Sequence, residues 1–123
     1  MARILVIEDN DSFREILKEM LEQRNHQVLT AADGDKGITA LRENPVDLVI
    51  TDILMPVKDG VTTIQDIQKD FPAVKIIAIS GGGSINRGEG YLEAIKFITH
   101  ITHVLSKPFS AEQLFKAIGE LLG

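Results

Sequence analysis

The chain has 123 residues, 44% apolar and 25% charged, a balance that suits one domain with one buried core and leaves no disordered tract. Its net charge of −5 argues against nucleic acid as a direct partner, because phosphate binding needs a basic face. The absence of cysteine excludes disulfides, thiol catalysis and Cys-based metal sites, and no apolar run approaches the roughly 20 residues that cross a bilayer.

The amino terminus does not read as a signal peptide: Arg3 is followed by four apolar residues and then by Glu8-Asp9. Together with the missing cysteines, this fits a cytoplasmic protein with no membrane insertion. From there, short apolar runs alternate with amphipathic helical patterns five times. The first run, Ile4–Ile7, precedes a helix with Phe13, Ile16, Leu17, Met20 and Leu21 on one face. Ser12-x-x-Glu15 reads as the capping box at its start. Val28–Ala31 is the second run, and Asp33-Gly34 leads into a weaker helix with Ile38 and Leu41. Leu48–Ile50 is the third. Its helix carries Val61, Ile64, Ile67 and Phe71 and ends before Pro72. Ile76–Ile79 is followed by the loop Gly81-Gly82-Gly83 and a helix with Leu92, Ile95 and Ile98. Val104–Leu105 is the last run, and Ser110-x-x-Gln113 caps a helix that buries Leu114, Ile118 and Leu121. Strands alternating with helices imply a parallel α/β sheet covered on both faces, with right-handed crossovers. No linker or repeat interrupts the pattern, so residues 1–123 are expected to form a single domain.

The chemistry gathers at the strand ends. Leu48-Val49-Ile50-Thr51 runs into Asp52, and a Pro-containing loop follows. A strand buried on both faces is apolar inside, so Asp52 belongs at its carboxyl edge, where open α/β sheets bind ligands. The first strand ends in Glu8-Asp9, the fourth in Ser80, and the fifth runs into Lys107-Pro108. Each has a plain alternative: Asp52 or Ser80 as a helix cap, Glu8-Asp9 as a solvated turn, Lys107 as a surface charge. Their conjunction at four strand ends favours a site. Three crowded carboxylates repel, and a divalent cation with one ammonium balances them. Oxygen donors without His or Cys favour Mg²⁺, with Mn²⁺ as the other option. His26, His100 and His103 have no ligand spacing and read as surface or packing residues. The triple glycine lacks the spacing of nucleotide-binding loops.

The pattern resembles the receiver domain of bacterial-type response regulators, a CheY-like family of two-component signal transduction. The resemblance rests on Glu8-Asp9, Thr51-Asp52 through Met55-Pro56, Asp59-Gly60, Ile79-Ser80-Gly81 and Lys107-Pro108-Phe109. It implies a flavodoxin-like, doubly wound five-stranded parallel sheet of order 2-1-3-4-5. It implies that Asp52 is the phosphoacceptor, taking a phosphoryl group from a sensor histidine kinase or phosphotransfer protein. Asp9 and Asp52 would ligate Mg²⁺ directly with the Leu54 backbone carbonyl, and Glu8 through a metal-bound water. Lys107 would neutralise one phosphoryl oxygen, Ser80 would hydrogen-bond another, and the Lys107-Pro108 peptide would be cis. Beyond its own phosphotransfer and slow autodephosphorylation the chain would not be an enzyme. It would switch the binding of an output protein or domain through the fourth helix, fifth strand and fifth helix.

Three departures from the family pattern stand out. Val104 occupies a position often aromatic, the segment from Ser80 to Lys107 is long and glycine-rich, and Gly81 replaces a usual Ala. Activation is therefore expected to pass mainly through Gly81–Thr99, since Val104 is short and stiff. Leu54 and Gly82 offer no side chain to orient a hydrolytic water, so solvent access should set the phosphoryl lifetime. Two other readings compete: a phosphohydrolase with an aspartyl-phosphate intermediate, and a flavin or nucleotide binder on the same fold. The first lacks a general acid two residues after Asp52 and a substrate cap. No DNA-binding output segment is apparent, leaving open a stand-alone regulator or a receiver within a longer protein.

Overall fold

Each strand of this protein is short, four to six residues long. The computed structural model describes residues 1–53, 60–80 and 95–123. The strands are β1 (Arg3–Ile7), β2 (Gln27–Ala31), β3 (Leu48–Asp52), β4 (Lys75–Ser80) and β5 (His103–Ser106). They form one sheet of order β2-β1-β3-β4-β5, every neighbouring pair parallel. This is the order the resemblance implies. The helices are α1 (Asp11–Gln23), α2 (Gly34–Glu43), α3 (Gly60–Asp70), α4 described over residues 95–99, and α5 (Ala111–Leu122). Leu54, the Met55-Pro56 pair, Asp59 and the glycine-rich loop with Gly81, Gly82 and Leu92 lie outside the described residues.

The period of two along a strand divides the core into two layers. Leu5 and Ile7 of β1, Val49 and Ala78 face Ile38 and Leu41 of α2 and Ile64 and Ile67 of α3. Ile4 and Val6, with Ile50, Ile77 and Ile79, face Leu17 and Leu21 of α1 and Leu114 and Ile118 of α5. Truncating one of these fully buried Leu or Ile side chains to Ala costs about 2–5 kcal/mol. The interior strands are therefore apolar on both faces until they leave the core, as parallel strands must be.

Three local expectations need correction. The cap of α1 is Asn10, whose Oδ1 accepts from the Phe13 N–H at 2.8 Å. Ser12 instead lies inside the helix, because Asn10 is the residue still in extended backbone after Glu8-Asp9. Ile16 is half-exposed: it sits about 100° round the helix from Leu17, at the edge of a face centred on Leu17 and Leu21. Ile98 is likewise 53% exposed and Phe97 80% exposed. Thr99 takes the inward position one turn after buried Ile95, and its hydroxyl donates to the Ile95 carbonyl at 2.6 Å. In contrast, the Ser110–Gln113 capping box is present in both directions, at 3.0 and 2.8 Å.

Two glycines set how closely helices approach the sheet. A Cβ on Gly60 would collide with the Asp52 carbonyl oxygen and the Ile53 Cα, and would lie 2.9 Å from the Ile53 carbonyl oxygen. A Cβ on Gly37 would overlap the Ile7 side chain, 2.8 Å from its Cγ1. Gly60 thus brings the start of α3 against the end of β3, beside Asp52.

Candidate functional site

Four parallel strands deliver their last residues to one edge. The register pairs Ile7 of β1 with Thr51 of β3, Asp52 with Ile79 of β4, and Ser80 with Ser106 of β5. Glu8 and Asp9 follow β1, and Lys107 follows β5. Backbone bonds extend the alignment past the strands: Ile53 N–H to the Ile79 carbonyl at 2.9 Å, and Lys107 N–H to the Ser80 carbonyl at 2.9 Å. The Lys107-Pro108 peptide is cis, as the resemblance implies.

The side chains converge as the strand-end pattern implies. Lys107 Nζ lies 3.3 Å from Glu8 Oε1 and 3.3 Å from Asp52 Oδ2. Carboxylate oxygens of Glu8, Asp9 and Asp52 all lie within 4.8 Å of one another. Glu8, Asp52 and Ser80 are almost completely buried, while Asp9 opens to solvent. Glu8 is further held by the Asn10 N–H, which donates to Oε2 at 3.1 Å. Arg14 fixes the same turn by donating to the Glu8 carbonyl oxygen at 2.8 Å, while pairing with Asp11 at 2.5 Å.

These surroundings make Glu8 a weak acid. Burial pushes its carboxyl up to about 7, with the charge of Asp52 and a hydrogen bond that protonated Glu8 donates to Asp9 adding to the effect. The Asn10 N–H and the Lys107 ammonium pull in the opposite direction and do not prevail. With all three carboxylates ionised, one lysine leaves the cluster at net −2, a charge that a divalent cation would cancel. The donors are all hard oxygens, with no nitrogen or sulfur among the described residues of the cluster. That set suits Mg²⁺ and its retained waters, and exposed Asp9 gives those waters a side facing solvent. The expected Leu54 ligand lies outside the described residues.

Two residues at this edge, Phe13 and Asn10, are missed by helical periodicity and strand-end patterning. Helical spacing puts Phe13 on the buried face of α1, yet its ring centroid is 4.2 Å from Lys107 Nζ. It also meets Phe109 edge to face, with centroids 5.9 Å apart. Asn10 acts twice, capping α1 and bonding Glu8. An N-cap residue followed three positions later by an aromatic is the signal that could have found them. The histidines lie away from this edge: His26 Nδ1 accepts from the Ala2 N–H at 3.0 Å, and His103 Nε2 meets Glu120 at 2.9 Å.

The family model described as response regulator receiver domain matches residues 4–119. Among similar proteins, the sensor kinase CckA of Brucella abortus is 32% identical over 123 residues, covering 98% of this chain and 12% of CckA. The transcriptional regulatory protein CpxR of Klebsiella pneumoniae is 30% identical over 123 residues, covering 99% of this chain and 50% of CpxR. The chain thus spans half or less of the length of these curated relatives. The crystal structure of the Thermotoga maritima response regulator TrrA in complex with Mg²⁺-BeF superposes with a TM-score of 0.83. That pair is 28% identical, covering 98% of this chain and 99% of TrrA. An acidic cluster at the carboxyl edge of a 2-1-3-4-5 sheet and a family match over nearly the whole chain lead to one assignment: the chain belongs to the response regulator receiver domains of two-component systems.

Proposed function

We propose that Asp52 is the residue phosphorylated in this receiver, and that residues 1–123 act as one switching unit. The observation that carries the reading is Asp52 at the end of β3, with Lys107 Nζ at 3.3 Å and two further carboxylates beside it. A carboxylate oxygen of Asp52 attacks the phosphorus of a phosphohistidine on a sensor kinase or phosphotransfer protein. The phosphorus–nitrogen bond breaks, the electron pair returns to the imidazole, and an acyl phosphate remains on Asp52. Such transfer asks a protein mainly for in-line positioning and charge neutralisation. Burial holds Asp52 in one place, and Lys107 can follow the incoming oxygens as they replace its contact with the carboxylate. Ser80, buried at the adjoining end of β4, would donate to another phosphoryl oxygen.

Asp9 and Asp52, with Glu8 through a water and the Leu54 carbonyl, would hold Mg²⁺ or Mn²⁺, which when bound supplies positive charge to the phosphoryl oxygens. The chain acts in this reading as a regulatory phosphoacceptor, not as an enzyme turning over a separate substrate. Its output would be the binding of a protein or domain on the face of α4, β5 and α5. Exposed Phe97 and Ile98 on α4 support that choice, and the net charge of −5 argues against direct nucleic-acid contact. The reading is of a cytoplasmic module; among the described residues no helix is long and apolar enough to cross a membrane.

Intact-protein mass spectrometry after incubation with acetyl phosphate tests the assignment. One added phosphoryl group is expected with Mg²⁺ and none with EDTA. Asp52→Asn should abolish uptake; a variant that still takes up phosphate at the normal level refutes the acceptor assignment.

A further inference from the structure

We propose that Phe13 is a positioning residue for Lys107, holding its ammonium poised between Glu8 and Asp52 by a cation–π contact. The inference rests on the reading of Asp52 as the acceptor. Lys107 Nζ is 3.3 Å from each carboxylate, longer than the 2.7–2.9 Å usual for a charge-assisted bond. The ammonium is therefore shared, not seated on either acid. The Phe13 ring meets the same ammonium, its centroid 4.2 Å away, within the range where a ring face attracts a cation.

The ring is itself braced. Its backbone N–H is tied to the Asn10 side chain at 2.8 Å, and its ring packs edge to face on Phe109 at 5.9 Å and 78°. Phe109 is two residues after Lys107, so the segment that carries the lysine also supports the ring that receives it. Asn10 meanwhile bonds Glu8 through its own N–H at 3.1 Å. The first turn of α1 thus touches both the lysine and one of its carboxylate partners.

A π face suits this task better than the alternatives. Another carboxylate would trap the ammonium with a full charge. A leucine would fill the space and offer the cation no attraction on that side. The ring attracts the cation weakly through its face and forms no hydrogen bond with it, so Lys107 can turn toward a phosphoryl oxygen without breaking a strong bond to Phe13.

The test compares Phe13→Leu, which keeps apolar bulk, with Phe13→Tyr, which keeps the ring, each first shown by urea unfolding to be folded. In the unphosphorylated, metal-free protein, the Lys107 ε-methylene protons should be shifted upfield by the ring in wild type and in Phe13→Tyr. That shift should vanish in Phe13→Leu. Phosphorylation by acetyl phosphate with saturating Mg²⁺ should slow by about 3-fold to 10-fold in Phe13→Leu and recover in Phe13→Tyr. In a Lys107→Met background, Phe13→Leu should have no further effect. A Phe13→Leu variant as fast as wild type, or one slowed equally with and without Lys107, overturns the proposal. If wild type takes up no phosphoryl group, the acceptor reading falls, and the methylene shift alone decides whether Phe13 holds Lys107.

Discussion

Ser80 and Lys107 stand at adjacent strand ends but face different demands. Lys107 already contacts two carboxylates before any phosphoryl group arrives, so its charge matters to the acceptor from the start. Ser80 is buried at the end of β4, next in the sheet to β3, and a new anion on Asp52 would give its hydroxyl a strong acceptor. Ser80→Ala should therefore still be phosphorylated, at a level comparable to wild type by mass spectrometry. It should lose the conformational response, read as amide shift changes on adding a beryllofluoride mimic. Equal shift changes in Ser80→Ala and wild type would remove Ser80 from the switch. The residues of this cluster could be read from the sequence because each polar group ends an apolar run, and a parallel sheet sends all such ends to one edge. Phe13 and Asn10 could not be read that way. Their roles depend on the direction in which α1 leaves β1, a tertiary fact that helical periodicity does not encode.

At the scale of elements, close packing separates two glycines that look alike in the sequence. Gly60 opens α3 against the end of β3, and its N–H donates to the Ile53 carbonyl at 2.7 Å. An added methyl would meet backbone, which cannot rotate away. Gly60→Ala should destabilise the protein by at least about 1–3 kcal/mol, the usual cost of overpacking, and should displace Asp52 enough to slow phosphorylation. Gly119 lies within α5, and a Cβ added there would meet nothing within 4 Å. Gly119→Ala should stabilise by up to about 1 kcal/mol through helix propensity alone. Urea unfolding of the two variants checks both signs, and a neutral Gly60→Ala would mean that α3 does not depend on this close approach. Helix existence was legible from apolar spacing, as with Leu114 and Ile118 of α5, but helix phase was less so. In α1 and α4 the outlying members of the expected stripes, Ile16 and Ile98, face solvent. In α1 a stripe of five candidates spans more of the helix than the sheet can cover, and the sequence does not say which margin is left out.

Across the whole molecule, two titrating groups at separate places in the fold act on stability in opposite directions. Glu8 is raised from 4.5 to about 7. Between those values the folded state holds a proton that the unfolded chain has lost, so stability contributed by Glu8 falls as pH rises from about 4.5 to about 7. His26 is shifted the other way. Burial, with the positive charges of the amino terminus and Arg24, holds it below its ordinary 6.5. Its Nδ1 accepts the Ala2 N–H, so the neutral ring carries its proton on Nε2. As pH falls below 6.5 the unfolded chain gains a proton that the folded ring resists, and stability falls until the folded His26 also titrates. The wild-type profile in metal-free buffer is the difference of these two slopes. Glu8→Gln should leave the His26 contribution, giving stability that rises with pH up to about 6.5. His26→Gln should leave the Glu8 contribution, giving stability that declines from about 4.5 to about 7. Urea unfolding across this range, with the His26 titration followed by NMR, separates the two. If both variants show the wild-type slope, the buried carboxyl and the partly buried imidazole are not what tunes this fold to pH.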